Sequence, residues 1–277
     1  MTDLKSLIQT SYPSMTKKEK KIADYLLKHS EKAKNKSISE IAAACGVVES
    51  TVFLFAKKIG LSGFKELTVL LANSLKGFLF EGIDEDDDYL SITKKVIESN
   101  IHSLRNTSKF IDLEQLKGAV ELLNSSEKTV FFALGGSTPI ALDAYHKFLR
   151  TPLNVEFNLE YHMQLLRAGK LTDNACAFIV SHSGENPDII RITDILQKNK
   201  VPIIAITSFT NTSLAKVATY TFISTTEELK YKDAGIYTRR LAQMLLVDIL
   251  FTLVMIAEGD SSIPYLEKLQ EAIYSTK

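Results

Sequence analysis

Two short segments combine glycine, serine and threonine in a pattern typical of phosphate-binding loops. The glycine loop, residues 134–139, reads Leu-Gly-Gly-Ser-Thr-Pro, and the serine loop, residues 181–187, reads Ser-His-Ser-Gly-Glu-Asn-Pro. Glycine lets the backbone approach a ligand, hydroxyl groups donate hydrogen bonds, and a proline marks the first turn of a helix whose N–H groups attract anions. Either loop alone usually means a turn and a helix cap, whereas two in one sheet favour an anion site. The candidate ligand residues are Ser137, Thr138, Ser181, Ser183, Gly184 and Asn186.

A second set of residues could carry acid–base chemistry. Glu160 and His162 follow a short apolar run, and His182 and Glu185 lie in the serine loop. Such groups can act as acid and base in an aldose–ketose isomerisation, or they can bind sugar hydroxyls without catalysis. The spacing of His, Cys and Asp residues does not match a metal site, so no metal and no cofactor are expected.

Apolar runs of strand length alternate with amphipathic segments around both loops, which predicts an α/β fold with a parallel sheet covered by helices on both faces. Ligands of such sheets bind beyond the carboxyl ends of the strands, which is where both loops lie. The predicted strands are residues 129–134, 154–158, 175–181, 202–207 and 219–224.

The first 80 residues contain helix signals instead. A small residue at Ala42, followed four positions later by Gly46, fits a helix-turn-helix, in which two short helices meet across a tight turn. Capping boxes are predicted at Thr16 with Glu19 and at Ser37 with Glu40. The predicted helices span residues 16–29, 37–46 and 49–60.

The second helix of such a unit places its start in the major groove of DNA while lysines contact phosphates. Arg, Asn and Gln are missing from its groove-facing positions, so we expect apolar contacts with thymine methyl groups rather than bidentate base contacts. A helical bundle that binds a protein partner is the alternative. The candidate DNA-contacting residues are Val48, Glu49, Ser50, Thr51, Phe53 and Leu54, together with Lys17, Lys18, Lys57, Lys58 and Lys65.

Charge separates the two parts of this 277-residue chain, whose net charge is zero. Residues 1–80 hold 13 lysines, no arginine and 7 acidic residues, a net charge of +6, so the remainder carries −6. A cationic module beside an anionic one indicates that the first meets a polyanion. We therefore expect a DNA-binding domain over residues 1–80, an acidic linker over 81–90 and a ligand-binding domain over 91–277.

The composition, 45% hydrophobic and 24% charged, is that of a globular protein. The apolar run from Met244 to Ala257 is broken by Asp248, and the N-terminus does not read as a signal peptide, so we expect a cytoplasmic protein without a membrane span. Cys45 and Cys176 lie in apolar segments and are expected to be core residues.

The two loops within alternating βα units resemble the SIS, or sugar isomerase, domain. Together with residues 37–64, which end in Ala-Lys-Lys-Ile-Gly-Leu-Ser-Gly-Phe, nearly the whole chain resembles the RpiR-type transcription regulators of bacterial sugar metabolism. The resemblance implies a homodimer that senses a sugar phosphate through Ser137, Ser181 and Ser183. This chain has Asn186 where the family often has Thr, Val48 and Leu54 where it often has Ser and Arg, and Arg239-Arg240 where it has Ser-Arg.

The sequence therefore predicts an all-helical helix-turn-helix domain followed by a three-layer α/β/α SIS domain. Its expected function is transcriptional regulation of carbohydrate genes, with operator DNA and a sugar-phosphate effector as partners and with no catalytic residues. A phosphosugar isomerase with an accessory helical domain is the alternative, and it is less favoured because a helix-turn-helix has no task in an isomerase.

Overall fold

The computed structural model describes residues 4–34, 36–74, 83, 86–225, 228–231, 234–237, 239–259 and 262–275. The chain forms two compact units. The first consists of residues 1–109, 209–211 and 225–238, and the second of residues 110–208, 212–224 and 239–277. Part of the expected acidic linker, residues 81, 82, 84 and 85, lies outside the described residues, while Tyr89 and Leu90 already belong to a helix.

The first unit is mainly helical, and its residues 4–71 form an apolar core that includes Ile22, Leu26, Ile41, Val52 and Phe55, all at most 1% exposed. Three of the helices match the predicted ones, and four others were not predicted from the sequence. The helices are α1 (Leu4–Ser11), α2 (Lys17–Lys28), α3 (Ser30–Ala33), α4 (Ile38–Cys45), α5 (Glu49–Lys58), α6 (Phe64–Ser74) and α7 (Tyr89–Ser108). An antiparallel hairpin of β6 (Glu228–Tyr231) and β7 (Ala234–Tyr237) was also not predicted.

Capping residues determine where the helices of the helix-turn-helix begin and end. Ser37 and Glu40 form the predicted capping box at the start of α4, and α2 begins with the other predicted capping box. Gly46 ends α4 with a φ of 63°, a left-handed conformation that glycine adopts without strain. The chain then bends by 98° into α5, within the range expected for a helix-turn-helix. The predicted motif is thus confirmed at its turn.

The second unit is the predicted three-layer α/β/α fold. Its sheet has five parallel strands in the order β2-β1-β3-β4-β5. All five predicted strands are confirmed, with ends that differ by at most one residue. The strands are β1 (Lys128–Ala133), β2 (Val155–Phe157), β3 (Ala175–Val180), β4 (Ile203–Thr207) and β5 (Tyr220–Ile223). The helices are α8 (Leu113–Ser125), α9 (Thr138–Phe148), α10 (Tyr161–Lys170), α11 (Pro187–Lys198), α12 (Ser213–Val217), α13 (Arg239–Glu258) and α14 (Ser262–Tyr274).

Each face of the sheet carries its own apolar core because successive strand residues point to opposite sides. One core joins Phe131 and Phe178 to α8, α9 and α13, and the other joins Phe132 and Ile179 to α10, α11 and α12. Cys45 and Cys176 are both buried, as predicted, and burial raises the pKa of the Cys176 thiol to about 12.

Helix α13 is long and apolar enough to cross a membrane by length and composition alone. Its residues Leu246, Val247, Leu250 and Val254 are nevertheless buried against the sheet as part of the first of these cores. Helices α4 and α5 would also be long and apolar enough if they formed one bent span, yet Ile41 and the inward residues of α5 are buried in the helical core. These apolar segments therefore have a packing role in their own units.

A buried glutamine completes the edge of the sheet next to the glycine loop. Strand β2 ends at Phe157, opposite Phe131, and does not extend as far as Ala133. Gln164 of α10, 1% exposed, takes the place of the missing strand residue. Its Oε1 accepts a hydrogen bond from the Ala133 N–H at 3.3 Å, and its Nε2 donates to the Ala133 carbonyl at 3.0 Å. The amide thus fixes the last residue of β1.

We expect Gln164→Leu to lower the free energy of unfolding by about 2 to 4 kcal/mol, because both backbone groups of Ala133 would stay buried without a partner. Urea denaturation measures the change. The matched control is Gln197→Leu, at an exposed position on α11, which should change stability by about 0.5 kcal/mol or less. Equal losses in the two variants would contradict the proposed role of Gln164.

Candidate functional site

The glycine loop and the serine loop leave adjacent strands at the same edge of the sheet. The first follows β1 and the second follows β3, and the two strands pair in parallel register up to Ala133 and Val180. Between the loops lies a cavity of about 220 Å³, lined by residues of both loops together with Val180, Ile189 and Arg239. The structure therefore brings the two predicted loops into one site.

All three serines predicted as ligand residues line this cavity. Ser137 is 7% exposed and Ser181 is 4% exposed, while Ser183 is half-buried. The loops contact each other directly, because the backbone N–H of His182 donates to Ser137 Oγ at 3.4 Å. A Cβ atom added at Gly135 or Gly136 would meet nothing within 4 Å, so the backbone of the glycine loop is open to a ligand.

The serine loop needs its glycine. Gly184 has a φ of +61°, and a Cβ atom there would lie 2.4 Å from Thr212 Oγ1. A side chain at this position would meet both backbone strain and a steric clash. Gly184 does not line the cavity; it shapes the turn that presents Ser181 and Ser183.

His182 contributes a neutral ring to the site. Its Nδ1 lies 2.8 Å from Ser208 Oγ, which lies 2.9 Å from Ser224 Oγ. Burial and the positive charge of Arg239 lower the pKa of His182 to about 4. At neutral pH the imidazole therefore adds no positive charge for an anion, and it can only exchange hydrogen bonds.

Arg239 supplies a cation at the cavity that we did not select from the sequence. It is the first residue of α13, 55 residues after Gly184, and it is half-buried in the cavity wall. A guanidinium group carries five N–H donors in a planar fork that matches phosphate oxygens. The only sequence signal was the Arg239-Arg240 pair at the start of an apolar helix. Arg240, by contrast, is exposed.

Two further predicted ligand residues, Asn186 and Thr138, differ in whether they line the cavity. Asn186 lines the cavity and caps α11, since its Oδ1 accepts from the Asp188 and Ile189 N–H groups at 3.0 and 3.1 Å. Thr138 is half-buried at the start of α9 and lies outside the cavity lining.

Glu160 and His162 also lie outside the cavity lining. Their side chains are 58% and 81% exposed and form a pair in which Glu160 Oε1 is 3.0 Å from His162 Nδ1. The Glu160 carboxylate caps α10 by accepting from the His162 and Met163 N–H groups, and these contacts hold the pKa of Glu160 below its usual range. The geometry of the second unit does not bring this pair to the two loops.

The candidate nucleic-acid interface lies on α5 and the start of α2. Val48, Phe53 and Leu54 are 64%, 43% and 60% exposed, so the first turns of α5 present apolar groups to solvent. The ammonium group of Lys57 lies 5.8 Å from the centroid of the Phe53 ring, a cation–π contact. The other exposed candidates here are Lys17, Lys18, Glu49 and Ser50, whereas Thr51 is half-buried.

Two of these candidates already have partners within the unit. Lys58 Nζ lies 2.7 Å from Glu19 Oε2 and 2.8 Å from the Ser14 carbonyl, which ties the end of α5 to the start of α2. Glu49 accepts a hydrogen bond from Ser39 Oγ, between the two helices of the motif. Glu49 therefore links the two helices of the helix-turn-helix, and Lys58 links the motif to α2.

We expect His182 to make stability depend on pH. Between about pH 6.5 and about pH 4 the unfolded state binds a proton on this residue and the folded state does not, so the free energy of unfolding falls as the pH is lowered. Urea denaturation over this range should show a shallower fall for His182→Gln than for the unchanged chain. His146→Gln, at an exposed position, is the control and should keep the original slope. An unaltered slope in His182→Gln would contradict the assignment.

Comparison with known proteins agrees with the two units. Residues 2–77 match the family described as the helix-turn-helix domain of the rpiR family, and residues 122–253 match the SIS domain. The solved Vibrio vulnificus NanR protein, in complex with ManNAc-6P, shares the fold with a TM-score of 0.63 at 20% identity over 99% of each chain.

Two curated relatives extend over the whole chain. A helix-turn-helix transcriptional regulator of Caldanaerobacter subterraneus is 31% identical over 100% of this chain and 99% of the relative. The transcriptional regulator HexR of Pseudomonas aeruginosa is 30% identical over 100% of this chain and 98% of its own. A helix-turn-helix motif joined to a SIS domain, matched over the full length of such relatives, shows that the chain belongs to the rpiR family of helix-turn-helix transcriptional regulators.

Proposed function

We propose that this regulator binds a sugar phosphate in the cavity between the glycine and serine loops, and that occupancy changes its binding to operator DNA near carbohydrate-metabolism genes. The observation that carries the proposal is the convergence of Ser137, Ser181 and Ser183 with Arg239 on one cavity. Neutral hydroxyls, open backbone N–H groups and one guanidinium are the donors that a phosphate monoester needs.

The phosphate end of the effector is assigned to the loops, and the sugar end to the remaining space. The NanR complex with ManNAc-6P supports the chemical class, because that protein shares the fold over its whole length. His182 and Asn186 offer hydrogen-bonding groups to sugar hydroxyls at the same cavity. We propose no catalytic step, because Glu160, His162 and Glu185 lie outside the cavity lining, which leaves His182 there without a second acid–base candidate.

For DNA, we propose that α5 enters the major groove. Val48 and Leu54 would contact thymine methyl groups, while Lys17, Lys18 and Lys57 contact phosphates. Two copies of the chain would read two half-sites, as is usual for helix-turn-helix regulators. The protein would act in the cytoplasm, where its operator is.

Arg239→Gln should weaken binding of a sugar phosphate by about tenfold to a hundredfold, as expected for a lost hydrogen bond between charged groups. Calorimetry with glucose 6-phosphate and N-acetylmannosamine 6-phosphate, and with the unphosphorylated sugars, measures the affinity. Arg240→Gln is the matched control at the neighbouring exposed position and should bind within about twofold of the unchanged chain. Equal affinities in both variants would argue against a phosphate at this cavity.

Each substitution Lys17→Gln and Lys57→Gln should weaken binding to all DNA sequences and reduce the slope of log affinity against log salt by about 0.9. Fluorescence anisotropy with labelled genomic fragments, at several salt concentrations, measures the slope. Lys198→Gln, at an exposed position on α11, should leave it unchanged. Absence of DNA binding at low salt, with or without sugar phosphates, would refute the regulatory proposal.

A further inference from the structure

The serine loop is held from outside the cavity by a carboxylate of its own. Glu185 Oε1 accepts a hydrogen bond from the Ser213 N–H at 2.7 Å, and Glu185 Oε2 accepts one from the Ser213 hydroxyl at 2.8 Å. Ser213 is the first residue of α12, which follows β4. Neither Glu185 nor Ser213 lines the cavity. The side chain of Glu185 therefore contacts Ser213 outside the cavity rather than lining it.

The residue before Glu185 is fastened to the same segment. The Gly184 carbonyl accepts from the Leu214 N–H at 3.1 Å, and its Cα lies so close to Thr212 that a Cβ atom would be 2.4 Å from Thr212 Oγ1. Two consecutive residues of the loop are thus fixed to three consecutive residues of the β4–α12 segment. Ser183 contacts the attached residue, because the Glu185 N–H donates to Ser183 Oγ at 3.2 Å.

The orientation of the Glu185 carboxylate affects how well the site can bind an anion. A carboxylate beside a bound phosphate would repel it, and Glu185 lies between Ser183 and Asn186, which both line the cavity. The two donors on Ser213 stabilise the carboxylate away from that anion, because hydrogen bonds to an ionised acceptor are stronger than those between neutral groups.

We propose that Glu185 is a positioning residue for the effector site: its contact with Ser213 holds the hydroxyl and N–H groups of the serine loop toward the cavity and keeps its own charge away from the phosphate. The proposal rests on the proposed function, since it concerns the affinity of the same site. It assigns Glu185 no role in acid–base chemistry.

Two substitutions separate positioning from charge. In Glu185→Gln the amide oxygen still accepts from the Ser213 N–H and the amide NH₂ donates to the Ser213 hydroxyl, so both contacts are kept without the charge. Glu185→Ala loses both contacts. Calorimetry with glucose 6-phosphate, N-acetylmannosamine 6-phosphate and inorganic phosphate should show about tenfold weaker binding for Glu185→Ala and binding within about threefold of the unchanged chain for Glu185→Gln.

The control for loss of a surface carboxylate is Glu121→Ala, on the exposed side of α8, which should not alter affinity. A second readout needs no ligand. Hydrogen exchange of the Ser213 and Leu214 N–H groups in the full chain should be about tenfold faster in Glu185→Ala, and close to the original rate in Glu185→Gln. The same measurement detects a variant that fails to fold, because hydrogen exchange of the backbone N–H groups would then be faster throughout the second unit.

Three results would overturn the proposal. Equal losses of affinity in Glu185→Gln and Glu185→Ala would show that the charge, not the contact, is needed. Unchanged affinity in Glu185→Ala despite fast exchange at Ser213 would show that the attachment does not position the loop. If the unchanged chain bound neither the sugar phosphates nor inorganic phosphate, the proposed function would fail and the positioning role with it, whereas the exchange rates would still report whether Glu185 fastens the loop.

Discussion

The parallel pairing of β1 with β3 is the constraint on which the site depends. Because six consecutive residue pairs align from Lys128 with Ala175 to Ala133 with Val180, both strands end at the same level. Adjacent strands lie about 4.8 Å apart, so the loops that follow them must be neighbours. The pairing of β1 with β2 is shorter and ends at Phe131, so the last residue of β1 requires another hydrogen-bonding partner on that side, which is Gln164.

The charge of the cavity depends on three side chains, His182, Glu185 and Arg239, and on their neighbours. Burial next to Arg239 keeps His182 neutral, and Ser213 occupies the carboxylate of Glu185. Among the described residues that line the cavity, Arg239 is then the one that carries a full charge. One guanidinium group beside several neutral hydrogen-bond donors favours the binding of a single anion.

Features that depend on residues close together in the chain could be predicted from the sequence. Periodic apolar runs predicted the five strands, and the spacing of Ser37 and Glu40 predicted a helix start, because strands and caps are set by residues close in the chain. The contacts of Gln164 with Ala133 and of Glu185 with Ser213 span 31 and 28 residues, and Arg239 reaches the cavity from a later helix. Such contacts depend on tertiary packing, which no short pattern encodes.

In the DNA-binding unit the same reasoning limits what the proposed recognition helix can read. Phe53 is covered in part by Lys57 and packs near Gly63, where an added Cβ would lie 3.1 Å from its ring. Val48 and Leu54 are the more exposed apolar groups, and an apolar side chain distinguishes thymine by its methyl group alone. Discrimination between DNA sequences by this helix would then come largely from apolar contacts with thymine methyl groups and from the shape of the DNA. The lysines would supply most of the affinity through their contacts with phosphates.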